Sequence, residues 1–178
     1  MTDAELVITR VFDAPRAVVF RCMTRPEHLA QFWGPRGMST PIDGITVDLR
    51  PGGRFVTTMV SDADGSRYTM SAIFSEVLPP ERLAWTDATT GVATTSTFTV
   101  IAPDRTEVEI RQTQIPEFMR TADARAGFLS SLDRFADYLR TTESLSEDSR
   151  GTTARRPRSS SGRWQGANSS GWLMSWPG

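Results

Sequence analysis

TADARAGFLSSLDRFADYLRT, residues 121–141, decides the architecture. Within it Ala124, Phe128, Leu132, Phe135, Ala136 and Leu139 recur at three- and four-residue spacing, which gathers them on one side of an α-helix. Asp123, Arg125, Asp133, Arg134, Asp137 and Arg140 fall mostly off that stripe. A long helix with one apolar side needs an apolar surface to cover it. The segment just upstream supplies one: from Arg105 to Thr113 the chain alternates, with Val108, Ile110, Gln112 and then Gln114 directed one way, and Glu107, Glu109 and Arg111 the other. Such alternation marks an antiparallel strand with one buried and one solvated face.

The same pattern repeats toward the N-terminus. Strands are expected over Glu5–Phe12, Ile42–Leu49, Arg54–Val60, a segment carrying Tyr68, Met70, Ala72 and Phe74, then Leu83–Asp87, Thr94–Ile101 and Arg105–Thr113. Turns separate them at Pro51-Gly52-Gly53, Asp62-Ala63-Asp64-Gly65, Pro79-Pro80, Thr90-Gly91 and Pro103-Asp104. Asp13-Ala14-Pro15 reads as the cap and first turn of a short helix. Thr24-Arg25-Pro26-Glu27 has capping-box spacing and opens a second, which closes at Gly34-Pro35. The order is strand, two short helices, six strands, long helix. The expected class is α+β, a curved antiparallel sheet of about seven strands wrapped around the C-terminal helix.

Composition limits the function. The chain has 178 residues, 38% hydrophobic and 23% charged, and a net charge of −1. These are ordinary globular values, and the charge gives no general attraction to phosphate backbones, so no nucleic-acid partner is expected. No apolar run approaches the ~20 residues of a membrane span. Met1–Leu6 holds two acids and no basic stretch, which argues against a secretory signal. The single cysteine, Cys22, rules out an internal disulfide and a cysteine-cluster metal site. Together these point to the cytoplasm. Every basic residue is arginine, so there is no lysine amine for Schiff-base chemistry. Beyond Thr142 the chain turns rich in Ser, Gly and Arg, with Trp164, Trp172 and Trp176. We divide it into a domain, 1–142, and a tail, 143–178, expected to be disordered; a docking segment or a frame-shifted read-through are the alternatives for that tail.

Few residues suggest chemistry. His28, the only histidine, follows the capping box and reads as a surface residue. Cys22 lies on the apolar side of the first helix without a neighbouring base and reads as a small buried hydrophobe. Asp62 and Asp64 sit on a hairpin tip without the further oxygen ligands of a calcium loop. No catalytic residue, metal or cofactor is assigned. The suggestive group is an aromatic, Met, Thr and Gln set: Trp33, Met38, Phe55, Thr57, Met59, Tyr68, Met70, Phe74, Trp85, Phe98, Gln112, Gln114, Phe118, Met119, Phe128 and Leu132. Apolar walls with a few polar groups characterise small-molecule pockets, and inward-facing glutamines need partners.

Several short motifs stand in a telling order: Arg10-Val11-Phe12-Asp13-Ala14-Pro15, Thr24-Arg25-Pro26-Glu27-His28-Leu29 leading to Phe32-Trp33-Gly34-Pro35, Asp48-Leu49-Arg50-Pro51-Gly52-Gly53-Arg54-Phe55, Pro79-Pro80-Glu81-Arg82-Leu83, and Ser131-Leu132-Asp133-Arg134-Phe135. This series resembles the SRPBCC superfamily, whose helix-grip fold is shared with START and birch-pollen-allergen-like domains. Within it the chain is similar to the AHSA-like family, relatives of the activator of the ninety-kilodalton heat-shock ATPase. Gly127-Phe128 stands where that family often has Gly-Trp, and Ser71-Ala72 where it often has a glycine. The resemblance implies a cavity between sheet and helix that binds a small hydrophobic or amphipathic molecule. It allows two alternatives. One is a polyketide cyclase/aromatase- or hydrolase-like enzyme, for which Tyr68, Glu76, Arg111 and Asp133 are the titratable candidates. The other is a chaperone-associated interaction module, with a protein partner or a second copy of the chain.

Overall fold

The apolar/polar alternation along the chain produces one antiparallel sheet. In the computed structural model, which describes residues 4–148, its strands are β1 (Leu6–Phe12), β2 (Met38–Ser39), β3 (Ile45–Val47), β4 (Arg54–Ser61), β5 (Arg67–Leu78), β6 (Arg82–Asp87), β7 (Ala93–Ala102) and β8 (Arg105–Thr113). They lie in the order β1-β8-β7-β6-β5-β4-β2, with β3 paired to β4 off that path. The helices are α1 (Arg16–Cys22), α2 (Pro26–Phe32) and α3 (Ala122–Asp148). The class is the expected α+β arrangement of a curved sheet and a C-terminal helix.

Local details depart from the sequence reading, each for a physical reason. The sheet has eight strands because Met38–Ser39 makes a two-residue pairing with Val60–Ser61. Ile42–Leu49 is not one strand: Pro41 accepts the Gly44 N–H at 2.9 Å, winding Ile42–Gly44 into a 3₁₀ turn before β3 begins. Asp13 does not cap α1; it pairs with Arg105 at 3.2 Å. Thr24 does not form a capping box, because its hydroxyl donates to the Phe20 carbonyl at 2.9 Å and closes α1 instead. α3 runs past Thr141 to Asp148. No glycine or proline interrupts the chain between Gly127 and Gly151, so nothing stops the helix where the apolar period fades. Residues 143–148 of the expected tail are therefore helical; the rest of that expectation, 149–178, lies outside the described residues.

The concave face is covered unevenly. α1 and α2 fill one end: Phe20 meets Phe98 edge-on at 5.3 Å, and Phe32 lies 4.3 Å from Phe135 of α3, which also contacts Phe12 at 4.8 Å. Leu132, Phe135 and Leu139 are buried, whereas Ala122 through Ala126 are all exposed. The middle of α3, from Leu132 to Leu139, is thus bolted to the core, and its first turn stands clear of the sheet.

Candidate ligand cavity

Where α3 stands clear, a cavity of about 650 Å³ opens between it and the sheet. Met59 and Met70 wall one side, Trp33 and Trp85 another, and Gly127, Phe128, Ser131 and Leu132 of α3 form the roof. Met23, Phe32 and Phe135 close the inner end. Small residues keep the space open. Gly34 has φ +97°, a conformation that favours glycine, and a Cβ there would push against Met59 Sδ at 2.8 Å on this wall.

Polar groups on this wall follow the strand register. Trp85 pairs with Thr94 and Thr94 with Gln112, so the three share one row across β6, β7 and β8. Gln112 Nε2 donates to Thr94 Oγ1 at 3.2 Å. Two residues along β7, Ser96 also lines the cavity; it is 0% exposed, and its Oγ has no hydrogen-bond partner among the described residues. At the mouth stand Tyr68, Asp87, Thr89, Thr90, Met119 and Asp123. Asp87 Oδ1 accepts the Thr89 and Thr90 N–H groups, each at 2.8 Å, which fixes the hairpin there.

Of the residues singled out from sequence, Trp33, Met59, Tyr68, Met70, Trp85, Gln112, Met119, Phe128 and Leu132 border this space. The others lie elsewhere. Phe55 and Phe74 stack in the core with centroids 5.4 Å apart, and Phe98 packs under α1. Thr57 is fully buried and accepts the Trp33 indole N–H at 3.0 Å. Met38 sits half-buried on β2, with its carbonyl taken by Arg134. Gln114 adopts a left-handed φ of 59° just past β8 and is exposed, and Phe118 is 72% exposed on a 3₁₀ turn. Thr94 and Ser96 escaped notice, although they share the parity of Phe98 on the same strand; that parity was the available signal.

Titratable groups mostly avoid the cavity. Glu76 pairs with Arg82 at 3.0 Å, Asp133 with Arg10, and Arg111 with Glu5 and Glu109 on the sheet's outer side. Its bond to the Glu5 carboxylate pushes the Arg111 pKa up. Of the four candidates named from sequence, Tyr68 alone, 55% exposed at the mouth, borders the space, beside the carboxylates of Asp87 and Asp123. Burial pushes the Cys22 thiol up to about 11 and raises the Tyr138 hydroxyl, whose oxygen lies 2.7 Å from His28 Nδ1. His28 is half-buried between α2 and α3 rather than at the surface.

Residues 13–140 match the sequence family described as activator of Hsp90 ATPase homolog 1-like protein. Solved structures share the fold. Protein CV1439 from Chromobacterium violaceum is 25% identical with a TM-score of 0.69, over 75% of this chain and 96% of that one. Protein NE0264 from Nitrosomonas europaea is 24% identical with a TM-score of 0.68, over 79% and 96%. An AHSA1-like protein from Aeromonas hydrophila is 22% identical with a TM-score of 0.66, over 87% and 100%. No curated protein matches the sequence.

Proposed function

For a chain that belongs to the activator of Hsp90 ATPase homolog 1-like family, we propose that the space between sheet and α3 binds a small hydrophobic or amphipathic molecule. The observation that carries this reading is the cavity itself. About 650 Å³ falls within the range of small-molecule sites, and its wall is apolar apart from a short polar row. Covering roughly 300 Å² of ligand apolar surface contributes about 7 kcal/mol before the cost of association is subtracted. Trp33, Met59, Met70, Trp85, Phe128 and Leu132 would supply that contact, and Gln112 would orient the ligand. A cytoplasmic setting belongs to the same proposal and rests on the lone cysteine.

Binding is preferred to cyclase- or hydrolase-like turnover because Glu76, Arg111 and Asp133 are engaged in ion pairs away from the cavity. A chaperone-associated role rests on the family description alone. The test is uptake of a neutral solvatochromic dye such as Nile red. Fluorescence should rise on titration with the protein and stay low with an Ala124→Trp variant, which plugs the mouth at an exposed position. Equal dye binding by both proteins would refute the proposal.

A further inference from the structure

We infer that the occupant is an uncharged, largely apolar molecule that carries hydrogen-bonding oxygen on the side facing β7 and β8; the inference rests on the binding function proposed above. The first argument is electrostatic. Among the described residues, the only charged ones lining the cavity are Asp87 and Asp123, both at the mouth, and no arginine or histidine borders it. A carboxylate or phosphate would pass two acids and find no cation inside. Burying an unpaired charge is strongly unfavourable, so an anion is rejected. An ammonium group could meet the acids only at the entrance.

The second argument concerns hydrogen bonds left open. Thr94 Oγ1 accepts from Gln112, which leaves its own proton to donate and leaves Gln112 Oε1 as an acceptor. Ser96 Oγ, buried and unpaired, lies two residues further on the same strand face, roughly 7 Å away. Adjacent strands place Gln112 about 5 Å to the side of Thr94. An oxygenated face can satisfy groups in this arrangement; a pure hydrocarbon leaves them unmatched. Ser96 Oγ is closed off in the structure, so a ligand oxygen reaches it by shifting a lining side chain. Met23, Met59 and Met70 are adaptable enough for such a shift.

A matched naphthalene series tests the inference: 2-acetylnaphthalene and 2-hydroxymethylnaphthalene, 2-ethylnaphthalene, 2-naphthoate and 2-naphthylmethylammonium. Each competes with Nile red at pH 7.5 against the natural protein and a Thr94→Val/Ser96→Ala/Gln112→Leu variant. The ketone or alcohol should bind at least tenfold tighter than naphthoate. It should lose roughly fivefold to tenfold affinity in the variant, while 2-ethylnaphthalene keeps its affinity and so reports an intact fold. The inference is overturned if naphthoate or the ammonium compound binds as tightly as the ketone, or if the variant weakens neither oxygenated compound. It is also overturned if no member displaces the dye; the binding function then still stands on the dye itself. A dye that does not bind the natural protein defeats that function first.

Discussion

Arg134 shows how much one side chain can hold. Its Nη1 donates to the carbonyls of Gly34, Pro35 and Met38 at 2.8, 3.1 and 3.0 Å, tying α3 to the loop that follows α2. Burial pulls its pKa below the usual range, though an arginine has ample margin to stay charged. Arg134→Met removes a donor shared by three carbonyls, of which Pro35 keeps the Met38 N–H, and should cost about 2–3 kcal/mol in urea denaturation; Arg134→Lys should recover part, lacking the planar fork. Cys22 gives a pH signature. Burial raises its folded-state pKa to about 11 from 9.0, so the folded protein holds the thiol proton more tightly than the unfolded chain. That stability is complete below pH 9 and is lost as pH rises toward 11. Thermal unfolding should show the decline, and Cys22→Ala should make it shallower without abolishing it, because Tyr138 is raised by burial too. At this scale strand alternation identified the inward residues well. It could not say how far along each strand the helices press. Phe55, Thr57, Phe74 and Phe98 face inward with Trp85 and Gln112, yet lie in the packed core.

The long helix was legible because its period is strong; its end was not, because the apolar stripe fades before any breaker intervenes. Short elements were harder to read. Capping by Thr24 depended on a competition between two backbone partners that spacing alone does not resolve. α3 also carries Gly127 within its helical span, roofing the cavity. A Cβ there would meet Pro35 Cβ at 3.6 Å, an ordinary contact. Gly127→Ala should therefore stabilise the protein by about 0.5–1 kcal/mol, raising Tm by roughly 2–4 °C in calorimetry. A fall in Tm would mean that the helix and loop cannot accept the methyl group.

For the molecule as a whole, the proposed binding would link ligand and stability. A compound held at a hundred times its Kd should add about 2.7 kcal/mol, or roughly 5–10 °C in Tm. The same compound should leave the Ala124→Trp variant unmoved. Hydrogen exchange should divide the helix: amides over 122–130 should exchange faster than those over 131–140, where Leu132, Phe135 and Leu139 are buried.

The exposure of Ala122–Ala126 has a consequence for selectivity. Under the proposed binding function, a roof with an exposed first turn and an anchored middle at Leu132, Phe135 and Leu139 would yield to guests of different girth, and each guest would bear the entropy of stilling it. Such a site would accept many shapes weakly and gain discrimination from whichever guest best tightens the exposed turn.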